Sequence, residues 1–150
     1  MNNEFTTMKN TSSRLNSIRK ANNSNKEIQT ERMEDYLEII YELVQLKGYA
    51  ICVDISECLN VSAPSVTKMM QRLHTTGYLK YEKYRGIQLT EQGTNLAKSV
   101  RKRHELLIEF LKMIGVNEDM ANADAEGIEH HLHSETLEKL EEFLITNRKK

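Results

Sequence analysis

Apolar residues along this chain recur in two rhythms, and the changes between them mark out the elements. Over residues 30–47, Met33, Leu37, Ile40, Tyr41, Leu43 and Val44 fall mostly three and four apart. This spacing predicts a helix with one wide apolar stripe, stopped at Gly48. The same rhythm occurs twice between Val53 and Leu73, interrupted at Asn60 and Val61. Residues 53–59 predict a short helix with Val53, Ile55, Cys58 and Leu59 inward. Ser62 is placed to cap a second helix, and Pro64 lies in its first turn, where a missing N–H costs nothing. Val66, Met69, Met70 and Leu73 then point inward. Residues 78–81 and 86–89 alternate as two short strands joined by Glu82-Lys83-Tyr84-Arg85. Thr90 caps a long helix to about residue 114, with Leu96, Val100, Leu106, Leu107, Phe110, Leu111 and Ile114 on its apolar side and Gly115 closing it. Asn117 caps a helix over about 118–132, and Ser134 a last one over about 135–145.

These elements predict a mainly α chain. Residues 30–97 form an N-terminal winged helix-turn-helix domain with a two-stranded wing, and residues 98–150 an all-helical domain, with the long helix over about 90–114 bridging both. Residues 1–29, rich in Asn, Ser, Thr and Lys, bury too little apolar surface to offset the entropy of folding and are expected to be a disordered arm. The helix after Ser62 leaves Ser65, Thr67, Lys68, Gln71 and Arg72 on its polar face. Short hydrogen-bonding groups and cations without an acid suit a DNA major groove. An ordinary amphipathic helix with a solvated face would look the same by itself. The hairpin that follows decides for DNA binding, because a wing offers Lys83, Tyr84 and Arg85 at its tip to phosphates or the minor groove.

Composition changes this picture in two ways. The formal net charge of −1 is the sum of opposed territories. Residues 62–103 carry nine Lys and Arg against two acids, a balance of +7, and residues 104–145 carry eleven acids against two Lys, a balance of −9. One part suits phosphates and the other cations. The two cysteines, Cys52 and Cys58, match neither a zinc knuckle nor a disulfide framework, with Cys58 expected in helix core, and a reducing cytoplasmic setting fits. No apolar run approaches the roughly 20 residues that cross a bilayer, so no membrane partner is expected.

Candidate metal chemistry lies in Glu126-Gly-Ile-Glu129-His130, whose positions i, i+3 and i+4 share one helical face, and in His104 on the bridging helix. The pattern is neither H-E-x-x-H nor H-x-x-E-H, and each residue alone could be an ordinary solvated side chain. Asp35 and Glu38 could likewise be acids that complement a helix dipole.

The segments MEDYLEIIYEL (33–43), VSAPSVTKMMQRL (61–73), YEKYRGIQLTEQG (81–93), RHELLIEFL (103–111) and GIEHHL (127–132) resemble the manganese-responsive branch of the diphtheria-toxin-repressor family, in order over about residues 33–132. The resemblance implies a dimeric winged-helix regulator activated by Mn²⁺, most simply a repressor of manganese-uptake genes acting on double-stranded operator DNA, with no organic cofactor. The second domain is then a metal-binding and dimerisation domain, without the SH3-like domain of the iron-responsive relatives. The family's binuclear site, two ions per subunit, falls on Asp35, Glu38, His104, Glu126, Glu129 and His130. Where the iron-responsive branch has Met and Cys, this chain has Asp35 and Glu126, an oxygen-rich set suited to Mn²⁺. Without metal, the carboxylates are expected to repel and leave the two domains loosely joined. Three rival readings stay open at this point: a carboxylate-bridged dimetal enzyme, an iron-responsive regulator, and a metal-independent winged-helix regulator.

Overall fold

A computed structural model describes residues 13–18, 25–82 and 85–148. The chain divides into two compact units, residues 1–32 and 33–150. In the first, within the stretch expected to be a disordered arm, residues 13–18 are helical and the hydroxyl of Ser17 donates to the Ser13 carbonyl at 3.0 Å. The elements in order are α1 (Asn25–Lys47), α2 (Cys52–Leu59), α3 (Ala63–Thr75), β1 (Leu79–Glu82), β2 (Gly86–Leu89), α4 (Glu91–Met113), α5 (Glu118–Ile128), a single 3-10 turn (Glu129–His131) and α6 (Ser134–Asn147). Helix α1 thus begins at Asn25, five residues before the expected start at residue 30.

The core of the winged-helix region is built where the apolar stripes meet. Met33, Tyr36, Leu37, Ile40 and Leu43 of α1 pack with Ile55 of α2, Val66, Met70 and Leu73 of α3, Leu79 and Ile87 of the hairpin, and Ala97 of α4. Helix α2 differs from expectation. Only Ile55 is fully buried, Leu59 is partly buried, and Val53 and Cys58 face outward. With 3.6 residues per turn, an eight-residue helix that docks by Ile55 can bring only one narrow stripe to the core. Its turn into α3 is made by Asn60, at φ 51° and ψ 48°, a conformation that asparagine tolerates better than most residues. The hydroxyl of Ser56 donates to the Val61 carbonyl at 2.6 Å and closes this turn.

Ser62 caps α3 by accepting from the Ser65 N–H at 3.4 Å, with Pro64 in the first turn. The wing strands pair antiparallel in the register Leu79–Leu89, Lys80–Gln88, Tyr81–Ile87 and Glu82–Gly86. Leu79 and Ile87 are buried, while Lys80 and Gln88 point out. The Tyr81 N–H donates to Nδ1 of His74 at 3.2 Å, which ties the wing to the end of α3.

Helix α4 starts on Thr90, whose hydroxyl accepts from the Gly93 N–H at 3.1 Å and lies within donating distance of the Gly77 and Tyr78 carbonyls at 2.8 and 3.0 Å. Farther along, Val100, Leu106 and Leu107 are buried, as are Ala121 and Ala125 of α5 and Leu144 of α6. Ile114 is exposed, contrary to the apolar side expected of it. Two other expectations fail in the same region. Helix α5 ends at Ile128 instead of continuing to residue 132, and α6 begins at Ser134, capped in position by His133 without a side-chain hydrogen bond. Gly127 in the last turn of α5 weakens the α-helix there and lets a tighter turn follow.

Gly93 is the position where the fold leaves no room. A Cβ built there would stand 1.9 Å from the Tyr78 carbonyl oxygen, which is backbone and cannot rotate away. Gly93→Ala is expected to destabilise the protein by about 3 kcal/mol or more, at the upper end of overpacking costs. Thr90→Ala, which removes a cap and no space, should cost about 1–2 kcal/mol. Urea unfolding midpoints of the two variants check both the size and the order of these effects.

Candidate metal centre and DNA-binding face

The side chains that converge on the site come from three places. Helix α1 supplies Glu34, Asp35 and Glu38, α4 supplies Arg103 and His104, and the junction of α5 with the 3-10 turn supplies Glu126, Glu129 and His130. Glu129 stays with Glu126 on the side of His104, while His130 turns toward Glu34 and Asp35 of α1.

His104 Nδ1 lies 3.0 Å from Glu129 Oε2 and 3.5 Å from Glu126 Oε2. One ligand-type atom from each of these three residues falls within 4.8 Å of the others. His130 Nε2 lies 2.9 Å from Asp35 Oδ1 and 3.3 Å from Glu129 Oε1. Glu129 is therefore shared, with Oε2 toward the His104 group and Oε1 toward the His130 group. Among the described residues Glu38 forms no hydrogen bond or ion pair with this group, but the charges of Glu129, Glu126, His104 and Asp35 all act on it. The geometry groups His104, Glu126 and Glu129, and sets His130 against Asp35 and Glu129.

The electrostatics reflect crowding of like charge. Burial, followed by the nearby Glu129 and Glu126 charges, pushes the Glu38 carboxyl up to about 7. Burial and the Glu126 charge push Glu129 up to about 7 as well. His130 moves the other way in charge: hydrogen bonds to Asp35 and then Glu34 hold its imidazole protonated up to about 10. Burial opposes ionisation of Glu34, but the His130 hydrogen bond and the Arg103 guanidinium outweigh it and hold this carboxyl below the usual range. The Glu129 side chain has no exposed surface, and its Oε1 accepts no hydrogen bond. A buried carboxylate oxygen without a donor is costly in water-excluded protein and is the atom a cation would satisfy. The donors present, carboxylate oxygens and imidazole nitrogens, fit a divalent metal of borderline or hard character.

Two residues of this site carry no signal in the ligand pattern. Glu34 accepts from His130 Nδ1 at 2.7 Å and from Arg103 Nη2 at 2.6 Å. The hint available in the sequence was that Glu34 stands four residues before Glu38 and so shares its face of α1.

On the DNA side, Ser65, Lys68, Gln71 and Arg72 are exposed on α3, and Thr67 is half-buried. Ser65 Oγ lies 2.8 Å from Ser62 Oγ, and the Thr67 hydroxyl donates to the Ala63 carbonyl at 3.2 Å. Arg85 pairs with Glu82 at 3.1 Å on the exposed wing. Lys83 and Tyr84 lie outside the described residues.

A winged-helix DNA-binding region joined to a helical region with a metal-type donor cluster defines a metal-regulated DNA-binding transcriptional regulator. Two family models match: the iron dependent repressor N-terminal DNA binding domain over residues 29–87, and the iron dependent repressor metal binding and dimerisation domain over residues 90–149. The chain belongs to the iron-dependent repressor family. It is similar to the HTH-type transcriptional regulator MntR of Lysinibacillus sphaericus (strain C3-41), 50% identical over 115 residues that cover 77% of this chain and 83% of the relative. The MntR of Bacillus subtilis (strain 168) is 50% identical over 111 residues, covering 74% and 78%. Among solved structures, that of the manganese regulator SloR superposes with a TM-score of 0.66 at 34% identity, covering 75% of this chain and 53% of that one. The repressor ScaR with bound Cd²⁺ gives 0.66 at 31%, covering 75% and 53%. This chain thus spans about half the length of those solved chains.

Glu38, Glu129 and His130 all bind protons more tightly folded than unfolded. The stability contributed by the two carboxyls is complete below about pH 4.5 and lost as the pH rises through about 7. That of His130 is complete below about 6.5 and lost through about 10. Glu34 has the opposite sign, and its contribution is lost only on acidification below its ordinary 4.5. Chelator-treated protein is therefore expected to melt at a lower temperature at pH 8 than at pH 5. Added divalent metal should raise the melting temperature more at pH 8, because its ligands must be deprotonated. Thermal unfolding followed by circular dichroism at both pH values, with and without metal, checks this.

Proposed function

We propose that this chain is a manganese-activated, homodimeric repressor of manganese-uptake genes that acts in the cytoplasm on double-stranded operator DNA. The observation that carries the metal reading is Glu129, buried, with one oxygen turned to each of two ligand groups. A carboxylate shared in this way supports a binuclear centre of two ions, held by Asp35, Glu38, His104, Glu126, Glu129 and His130. The names of the relatives and the all-oxygen and imidazole donor set, with Asp35 and Glu126 in place of thioether or thiol, favour Mn²⁺.

A bound divalent cation supplies positive charge where carboxylates from α1 and from the α5 junction converge. The chain's own residues do the rest. Asp35 and Glu38 carry the response into α1, which shares its core with α3 and the wing. His104 carries it into α4, whose ion pairs from Arg101 to Glu42 at 3.0 Å and from Arg103 to Glu34 at 2.6 Å join the same two helices. In a two-fold dimer this linkage sets the spacing of the two α3 helices, which must meet half-sites about 34 Å apart. Exposed Met113, Ile114, Met120, Ile128, Phe143 and Ile145 in the helical region supply apolar surface for the dimer. Among the described residues no helix is long and apolar enough to cross a membrane.

DNA is read, in this proposal, by Ser65, Thr67, Lys68 and Gln71, with Lys83, Tyr84 and Arg85 of the wing on the backbone. The experiment is DNA binding, with and without Mn²⁺, to a site selected from a random duplex library. Mn²⁺ should tighten wild-type binding at least tenfold. Glu126→Ala and His104→Ala should remove that gain while leaving the circular dichroism spectrum unchanged. A variant that retains the full Mn²⁺ response would sink the site.

Base contacts specify and phosphate contacts position. Gln71→Ala is accordingly expected to narrow the preference for the selected site over random DNA, at a cost of about 1–3 kcal/mol. Arg85→Ala should weaken both equally and lower the slope of log affinity against log salt by about 1. Fluorescence anisotropy over a salt series separates the two.

A further inference from the structure

Glu34 sits at the meeting point of three elements and has no place in the ligand set above. Its Oε2 accepts from His130 Nδ1, on the 3-10 turn, at 2.7 Å and from Arg103 Nη2, on α4, at 2.6 Å. All three side chains are largely buried, 12% exposed for Glu34, 19% for Arg103 and 8% for His130. The imidazole is thereby held in one orientation. Nδ1 faces Glu34, and Nε2 faces Asp35 at 2.9 Å and Glu129 at 3.3 Å. Turning the ring over would place carbon at both positions and lose contacts on either side.

From this geometry we infer that Glu34 is a positioning residue for the metal centre: it keeps the proton of His130 on Nδ1 and so presents Nε2 to the ligand cluster. Arg103 holds Glu34 in turn, so one carboxylate oxygen links α1, α4 and the 3-10 turn. The inference rests on the reading of His130 as a metal ligand. A ligating histidine in general needs its second nitrogen fixed, since the proton there determines which nitrogen can donate its lone pair. Glu34 serves this role, rather than ligation, because its Oε2 is already taken by an imidazole N–H and a guanidinium.

The test uses the full chain. Mn²⁺ affinity and stoichiometry are measured by calorimetry for wild type, Glu34→Ala and Glu34→Gln. The His130 tautomer is read by long-range ¹H–¹⁵N NMR with Cd²⁺ as a diamagnetic probe. Glu34→Ala should weaken Mn²⁺ binding by about 10–100-fold, the usual cost of losing an outer-shell partner. Glu34→Gln, whose amide oxygen can still accept from Nδ1–H, should recover most of that loss, which a merely structural defect would not predict. In the wild type, His130 should carry its proton on Nδ1 with Nε2 on the cation. Wild-type affinity in Glu34→Ala overturns the inference while leaving the metal reading intact. A wild-type spectrum with the proton on Nε2 and the cation on Nδ1 overturns it without recourse to any variant. Wild-type protein that takes up no Mn²⁺ overturns the metal reading itself, and this inference with it.

Discussion

A carboxylate with no exposed surface has to be protonated, hydrogen-bonded or coordinated, because an isolated charge in protein interior is too costly to persist. Glu129 is in that position, flanked by Glu126 and held between two imidazoles. Much of the architecture can be traced to it. Helix α5 must end before Glu129, α4 must run unbroken past His104, and α1 must bring acids to the same point from the opposite end of the sequence. Each element also has another task, so the site cannot move without moving something else.

Helix α4 shows this most clearly. Its Ala97 lies in the core of the winged-helix region, while Val100, Leu106 and Leu107 are buried farther along, on either side of the ligand-type His104. A continuous helix transmits displacement along its axis with little loss, because its backbone hydrogen bonds close every turn. The apolar positions on either side, each worth about 1.5–3 kcal/mol when fully buried, hold the structure irrespective of the metal. The expected role of the ion is then to choose among arrangements of parts that are already folded. The half-exposed pair of Arg101 with Glu42 contributes more to direction than to stability, since such pairs are worth about 0–1 kcal/mol.

The same division appears in the charge. The basic stretch of residues 62–103 includes the α3 face and the wing, and the acidic stretch of residues 104–145 includes the metal-type ligands. Separation keeps the acids from neutralising the DNA-facing cations within the molecule. Where the two territories touch, at Arg101 with Glu105 and Lys102 with Glu141, the contacts are specific ion pairs. The expectation of repelling carboxylates now has more detail: Arg103 and the His130 imidazolium stand among the acids and offset part of that repulsion.

The sequence by itself determined most of the helices, their caps at Ser62, Thr90 and Asn117, the two wing strands and most of the core, because periodicity and capping are local, while the first strand runs one residue later than its alternation placed it, over Leu79–Glu82. It also marked Glu126, Glu129, His130 and His104 as candidates by residue type and spacing, and the set of six through a family resemblance. Spacing alone left Asp35 and Glu38 as ordinary helix-dipole acids. Tertiary structure decided what depends on neighbours distant in the chain. Val53 and Cys58 face solvent because α2 docks through a single residue. The run Glu126-Glu129-His130 is split between α5 and a 3-10 turn, with Glu126 and Glu129 both at His104 and His130 beside Glu34 and Asp35. Glu34 joined the site through Arg103 and His130, 69 and 96 residues away. A periodicity argument cannot reach such contacts, because the distance between those atoms is set by how the helices pack and not by any spacing along the chain.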